Sequence, residues 1–310
     1  MKKTGEEGGI LAALSRELTS AVGQADPWIV STNARPGLPT SGVIWAEGVI
    51  VTTHHTLVRD EGLTVRFFDG SEQPAEIAGR DPGTDLAVLT AQTGKREAAP
   101  AAEGAEVKAG QLVLSVGRNS EYGLRSTLGT IGGVGAEWHT PRGGRIEQYI
   151  LLDLSLYPGF SGGPLLDAEG RVLGVNTTAL SRQSGVTIPV ATVNRVAKDL
   201  AERGHVRRGY LGVGLYPVQI PESLRKGLAI ENERGIMIVG IEEGGAAERS
   251  GVSLGDLFIA IDGKAVQDPE ELQGHLGEES VGKSLTVTVI RGGRREELKI
   301  EVSERPARSR

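Results

Sequence analysis

Pro158-Gly159-Phe160-Ser161-Gly162-Gly163-Pro164 is the stretch on which the reading of this chain turns. A serine acts as a nucleophile when it sits exposed on a tight turn, beside backbone N–H groups that can receive an oxyanion, with room for substrate. Flanking glycines supply the unusual φ angles and remove side-chain bulk. If Ser161 acts in this way, the N–H groups of Gly159 and Ser161 are the expected oxyanion donors. A bare Gly-x-Ser-Gly also fits an ordinary Gly-rich β-turn, so the heptad needs support from elsewhere in the chain.

A hydroxyl is inert without a base, and a base needs an orienting carboxylate. His54-His55 follows Val49-Ile50-Val51-Thr52-Thr53, where a strand ends and side chains become available to a cleft. By itself such a pair reads as a surface or packed feature. Asp85 closes Asp81-Pro82-Gly83-Thr84 and immediately precedes the apolar run Leu86-Ala87-Val88-Leu89, where a carboxylate can be partly buried. By itself it reads as a strand cap. Together the three residue types occur in the order His, Asp, Ser, which is that of chymotrypsin-like enzymes and not of subtilisins or α/β-hydrolases.

Working outward, short β-rich runs recur between turn residues at 42–45, 48–53, 63–68, 86–89, 112–116, 149–154 and 172–175. Asp69-Gly70, Pro82-Gly83, Gly132-Gly133 and Gly143-Gly144 punctuate them. Many short strands with no long helix between them predict sandwich or barrel packing rather than a parallel sheet. Ile10, Leu11, Leu14, Leu18 and Ala21 fall at helical spacing, so 9–22 is expected to form an amphipathic helix. A second helix carries Val193, Val196, Ala197 and Leu200 on one face, with Gly204 as its left-handed stop. Beyond the short basic connector 205–209 the pattern is mixed. Strands are expected at 237–241, 257–261 and 285–290, helices at 245–250 and 269–276, and a hairpin-type turn at Asp262-Gly263. The expected organisation is an N-terminal helical segment (1–26), a mostly β domain (27–204), a linker (205–209), a small α+β domain (210–303) and a tail (304–310).

Composition narrows the function. A chain of 310 residues is comfortable for two domains, since one usually holds about 100–200. The net charge of −6 leaves no basic footprint for nucleic acid, so no nucleic-acid partner is expected. With no cysteine there are neither disulfides nor thiolate metal sites. The five histidines form no His-x-x-x-His pair beside a carboxylate, so neither metal nor other cofactor is expected. Met1-Lys2-Lys3 resembles the start of a secretory leader, but the polar, acidic residues 4–9 follow it, and Arg16 and Glu17 break the next apolar stretch. No apolar leader core or membrane-spanning run is present. The expectation is a cytoplasmic protein without membrane partners, or a periplasmic one if a leader has been trimmed away.

At this point the residues resemble a known family. Thr52-Thr53-His54-His55-Thr56-Leu57, Asp81–Leu89 and Pro158–Leu165 look like the three catalytic segments of the HtrA (Deg) serine proteases, and 110–117 and 170–177 resemble intervening segments. The likeness runs from about residue 27 to 303. It implies a chymotrypsin-like double β-barrel followed by one PDZ domain. It also picks His55 over His54 as the base, with Asp85 fixing its tautomer and Ser161 as nucleophile. Ser155 and Leu156, with Thr187 and Ile188, would border the pocket for the P1 side chain. Their character, and the lack of an acid six residues before Ser161, implies an aliphatic preference.

Tyr210-Leu211-Gly212-Val213 resembles the carboxylate-binding loop of such PDZ domains, and 243–252 with Gly255-Asp256 resembles the module's most recognisable stretch. Bound peptides would add as a strand to the sheet edge, with Leu272 and His275 on the helix opposite facing either ligand or core. The implied activity is endopeptidase cleavage of unfolded or damaged proteins, with C-terminal or extended peptides captured by the PDZ domain. The competing reading is a peptide-binding chaperone or scaffold with an inactive or gated protease domain. A homo-oligomer, commonly a trimer, is implied as well. Three departures stand out: Phe160 where the family usually has Asn, Arg118-Asn119-Ser120 in place of Asn-Pro-Phe-Gly, and Leu152-Asp153-Leu154-Ser155 in place of Thr-Asp-Ala-Ala. With no acid at 160, activation by a freed N-terminus is unavailable.

Overall fold

The computed structural model describes residues 9–35, 37–38, 40–119, 123–181 and 184–306. Ser120, the start of the chain read for a leader, and the last four residues of the expected tail lie outside them. The chain divides into two compact units with a boundary between Gly204 and His205, and the short segment His139–Arg145 groups with the second.

The first unit opens with helix α1 (Ile10–Ala25), which continues as a single 3₁₀ turn, Asp26–Trp28. The predicted apolar face is only half used. Leu18, Ala21, Val22 and Ala25 pack against a cluster that includes Ile29, Leu114 and Val116. Ile10 and Leu11, by contrast, are 88 % and 81 % exposed.

Six strands then close a barrel: β1 (Ile29–Thr32), β2 (Thr40–Ala46), β3 (Val49–Thr53), β4 (Leu63–Arg66), β5 (Glu72–Asp81) and β6 (Leu86–Ala91), in the order β1-β2-β3-β6-β5-β4. Val30, Ile44, Ile50, Phe67 and Leu89 fill it. A second barrel uses β7 (Leu112–Asn119) and β8 (Gly123–Gly135). After a short pair, β9 (Trp138–His139) and β10 (Arg145–Ile146), it continues with β11 (Tyr149–Asp153), β12 (Pro164–Leu166), β13 (Val172–Thr177) and β14 (Val186–Pro189). Its order is β11-β14-β13-β12-β7-β8, around Val113, Ile131, Ile150, Leu165 and Leu173. Helix α2 (Val190–Arg203) buries Val193, Val196, Ala197 and Leu200, and ends at Gly204 in the left-handed conformation.

Gly132-Gly133, expected as a turn, lies inside β8. The reason is the approach of β11, whose register shifts between Leu151 and Leu152. A Cβ at Gly132 would stand 3.2 Å from Asp153 Cβ, so bare backbone lets β8 accept the irregular neighbour. The polar strand β5 has no apolar alternation and gave no sequence signal; it exists because β4 and β6 pair with it on both sides.

The second unit contains β15 (Gly209–Tyr210), β16 (Val213–Gln219), α3 (Glu222–Leu228), β17 (Arg234–Ile241), α4 (Ala246–Arg249), β18 (Leu257–Ile261), β19 (Lys264–Ala265), α5 (Pro269–Gly274), β20 (Ser284–Arg291), β21 (Arg294–Glu301) and β22 (Ser303–Glu304). The main sheet runs β16-β17-β18-β20-β21, and β15 pairs with β22. Asp262 and Gly263 link β18 to β19 with φ of 46° and 76°, the signature of a type I′ turn. Leu272 of α5 belongs to the apolar core with Phe258, Val287 and Ile300, so it faces the core.

Asp256 is almost fully buried and pinned by Arg291, whose Nε and Nη2 donate to its two oxygens at 2.8 and 2.7 Å, while the Ser253 N–H donates at 2.8 Å. Burial alone would raise its pKa, but these donors and the Arg291 charge outweigh burial and hold the carboxyl below the ordinary aspartate range. A carboxyl depressed on folding stabilises above its unfolded pKa and loses that stability as pH falls towards the folded value. Melting of the second unit should therefore drop in acid below about pH 4, and Asp256→Asn should flatten that dependence, as pH-resolved calorimetry would read.

Candidate active site

The site lies between the two barrels of the first unit. Asp85 follows a turn built by Asp81, whose carboxylate accepts the N–H groups of Gly83 and Thr84 at 3.0 and 3.2 Å and the Thr84 hydroxyl at 2.7 Å. That turn delivers Asp85 with φ of 60°, a backbone position that non-glycine residues seldom occupy and that clusters at functional sites. Its buried carboxylate is satisfied three times. Oδ1 accepts the His55 backbone N–H at 2.9 Å, and Oδ2 accepts from His55 Nδ1 at 2.8 Å and from the Thr177 hydroxyl at 2.5 Å. A carboxylate only accepts, so Nδ1 carries the proton and Nε2 is left as the basic nitrogen. His54 and His55 occupy a single 3₁₀ turn after β3, anchored by the His54 N–H on the Asp85 carbonyl at 2.9 Å. Only the second of the two rings meets the carboxylate.

Ser161 sits in the loop between β11 and β12. Tyr157, Pro158, Gly159 and Phe160 form a turn closed by the Phe160 N–H on the Tyr157 carbonyl at 3.0 Å. Pro158 in second place and Gly159 in third, with φ of 97°, make it type II. Among the described residues the N–H groups of Gly159 and Ser161 donate to no protein acceptor. Gly162 has φ of 85°, and a Cβ there would lie 2.1 Å from the Ser41 carbonyl oxygen. No other residue fits that position. The Ser161 hydroxyl meets Thr178 Oγ1 at 3.4 Å rather than His55 Nε2. Beneath the loop, buried Asn176 donates to Ser115 Oγ and the Pro164 carbonyl, both at 2.9 Å, and accepts from Thr187 Oγ1 at 2.8 Å.

Phe160, which sequence reasoning marked only as a departure, is the loop's apolar anchor. Its ring is buried and meets Tyr157 edge-on at 6.0 Å, with the Arg125 guanidinium 5.9 Å from its centroid. Beside Ser161 opens a cavity of about 550 Å³ lined by Leu152, Asp153, Leu154, Ser155, Leu156, Thr178, Ser181, Ser184 and Gly185. Ser155 and Leu156, two of the residues that the resemblance assigns to the P1 pocket, line it. Thr187 and Ile188 do not: both are fully buried in β14, opposite Asn176 and Val175 of β13. The signal that would have found Thr178, Ser181 and Ser184 is their place in the loop after β13, which only the barrel brings round to Ser155. A Cβ on Gly185 would stand 2.3 Å from Leu156 Cδ1, so Leu156 lies across the cavity at that point.

In the second unit, Tyr210–Val213 leads from β15 into edge strand β16. Gly212 has φ of 74°, and among the described residues the Leu211 and Gly212 N–H groups donate to no protein acceptor. The Leu211 and Gly212 carbonyls accept from Ala247 and Glu242 N–H at 2.9 and 2.8 Å, which holds the loop open. Glu242 lies beside it. Burial first, then the charge of Glu242 and a hydrogen bond to it, raise the Tyr210 phenol above its ordinary pKa.

This geometry has known counterparts. The trypsin-like peptidase domain family matches residues 40–175, and the PDZ domain family matches 209–302. A relative from Brucella suis biovar 1, named "Probable periplasmic serine endoprotease DegP-like", is 33 % identical over 280 residues, covering 88 % of this chain and 54 % of its own length. One of the same name from Chlamydia trachomatis serovar D is 31 % identical, covering 86 % and 54 %. Among solved structures, the HtrA-type protease AlgW with decapeptide superposes with a TM-score of 0.75 at 26 % identity, covering 93 % of this chain and 99 % of that one. The serine endoprotease from Yersinia pestis gives 0.73 at 26 %, covering 93 % and 98 %.

Fold and site together define a trypsin-like two-barrel peptidase domain followed by one PDZ domain. The chain's curated relatives are named DegP-like serine endoproteases, and its structural neighbours are HtrA-type proteases. It spans about half the length of the curated relatives it matches. The expectation of a cytoplasmic protein is overturned, because those relatives are named as periplasmic; a missing apolar leader in the sequence was not a sound ground for it. Among the described residues no helix is long and apolar enough to cross a membrane.

Replacing Phe160 by Ala empties a buried ring site under the nucleophile loop. A loss of about 3–5 kcal/mol is expected, read as a lower melting temperature of the first unit.

Proposed function

We propose that this chain is a serine endopeptidase that cuts unfolded or damaged proteins. The observation that carries the reading is the His55–Asp85–Thr177 constellation beside Ser161, with two unused N–H groups at Gly159 and Ser161. Ser161 Oγ attacks the scissile carbonyl while His55 Nε2 takes its proton. Asp85 keeps Nδ1–H in place and stabilises the imidazolium. The oxyanion is received by the Gly159 and Ser161 N–H groups. His55 then gives its proton to the leaving amine, the acyl-enzyme forms, and water repeats the sequence to release the acid. The Ser161–His55 hydrogen bond, absent in the present arrangement, closes when substrate binds.

Residues 27–204 supply this protease domain and 210–303 the PDZ domain. Leu152, Leu154 and Leu156 give the P1 cavity apolar walls for short aliphatic side chains, and the hydroxyls of Ser155, Thr178, Ser181 and Ser184 allow small polar ones. Extended or C-terminal peptides pair with β16 and use the Leu211 and Gly212 N–H groups. The exposed Ile10, Leu11 and Leu14 favour a homo-oligomer, a trimer by resemblance. The proposed compartment is the periplasm, as in the relatives' names. The Ser161–Thr178 contact favours a second reading, a peptide-binding chaperone or scaffold whose protease domain is held shut.

Cleavage of an unfolded casein-like protein, with mass spectrometry of products, decides between them. Wild type should cut after short aliphatic residues. Ser161→Ala and His55→Ala should each lose about 10⁴-fold or more, and His54→Ala far less. Equal silence of wild type and Ser161→Ala, with hydrophobic C-terminal peptides added, would leave the scaffold.

Glu242 beside the Gly212 loop repels a terminal carboxylate. Glu242→Gln should tighten binding of free-acid peptides several-fold by calorimetry and leave their C-terminal amides unchanged; equal effects on both would sink the assignment.

A further inference from the structure

The two oxyanion donors, Gly159 N–H and Ser161 N–H, are separated by one peptide plane, Gly159–Phe160. Both polar groups of that plane are tied down. Its N–H closes the turn onto the Tyr157 carbonyl at 3.0 Å, and its carbonyl accepts from the Ser41 hydroxyl at 2.6 Å. Ser41 belongs to β2 of the first barrel and is fully buried. The same hydroxyl accepts the Arg118 N–H of β7, in the second barrel, at 2.8 Å, so its single proton is committed to Gly159. Its carbonyl accepts from Thr52 Oγ1 at 2.7 Å, on β3 two residues before the histidine turn.

Arg118 is held in turn. Its Nε donates to the Ile29 carbonyl at 2.7 Å, and its Nη2 to the Asp26 carbonyl at 3.1 Å and to the Asp26 carboxylate. The guanidinium is almost fully buried, which a cation tolerates only when paired in this way. Space around Ser41 is also fixed. A Cβ at Gly117 would fall 2.9 Å from Ser41 Oγ and 3.1 Å from the Gly159 oxygen.

We infer that Ser41 is a positioning residue for the oxyanion hole: its hydroxyl locks the Gly159–Phe160 plane, and the Asp26–Arg118 pair locks Ser41's other partner. Glycine rotates about φ and ψ with little steric penalty, so without the Ser41 proton the plane is held only by the Phe160–Tyr157 hydrogen bond, and the two flanking donors are less firmly converged. The hydroxyl touches neither substrate nor reacting atoms. This assignment rests on Ser161 being the nucleophile.

The test compares wild type, Ser41→Ala and Ser161→Ala on one peptide substrate, with the affinity of a peptidyl boronate that forms a tetrahedral adduct on the serine. Ser41→Ala should lower kcat about 10–100-fold, short of the 10²–10³-fold for loss of a donor itself, with KM changed less than about threefold. Boronate affinity should fall in parallel with kcat/KM. In a Ser161→Ala background, Ser41→Ala should leave substrate-peptide binding within about twofold. An unchanged kcat, or equal losses in peptide and boronate binding, would overturn the assignment and leave Ser41 a packing residue. If Ser41→Ala does not fold, Ser41→Cys keeps the size with a weaker donor. Its kcat should then be reduced, and full activity would overturn the assignment. Absence of Ser161-dependent turnover in wild type would instead remove the peptidase reading itself.

Discussion

The carboxylate of Asp85 is buried, and a buried charge is tolerated only when its oxygens are satisfied. Its three donors come from different parts of the first unit. The His55 ring and backbone belong to the first barrel, and the Thr177 hydroxyl belongs to β13 of the second. One side chain thus couples the approach of the barrels to the orientation of the imidazole. Removing any donor leaves a lone pair in a dry site, where each loss costs about 1–3 kcal/mol or more. The unusual φ of Asp85 is held by the Asp81 turn before it and by β6 after it.

The nucleophile loop follows the same logic with backbone instead of charge. Three segments, β2, β7 and 157–164, approach so closely that Gly117 and Gly162 have no space for a Cβ. Such contact leaves buried N–H and C=O groups that must be paired, and the hydroxyls of Ser41 and Thr52 with the amide of Asn176 pair them. Two donors remain unused at Gly159 and Ser161. On the proposed mechanism these are the donors that receive the oxyanion. Phe160 supplies the apolar weight that an acid or amide would not, and Arg125 and Tyr157 cover its ring.

In the second unit the N–H groups of Leu211 and Gly212, which donate to no acceptor among the described residues, repeat this arrangement at a sheet edge, where peptide capture is proposed. There the nearby charge is negative, from Glu242, so the proposed capture would rest on a balance between donors and repulsion.

Much of this was legible in the residues. The order of His55, Asp85 and Ser161, the glycines about the serine, and the capping Gly204 depend on chemistry and local backbone, which a sequence states directly. The positions of strands β3, β6 and β13 were visible because their apolar runs lie between turn residues. Strand β5, the run of β8 through Gly132-Gly133, and the burial of Thr187 and Ile188 were not visible, because each depends on a neighbour distant in sequence. The exposure of Ile10 and Leu11 was hidden for the same reason: periodicity shows that a face is apolar but not what covers it. Sequence alone determined which groups could do chemistry. Tertiary structure decided which histidine meets the carboxylate, which residues line the cavity, and that Ser41 reaches Gly159 across the two barrels. Those contacts are set by closure of the sheets, which no local pattern encodes.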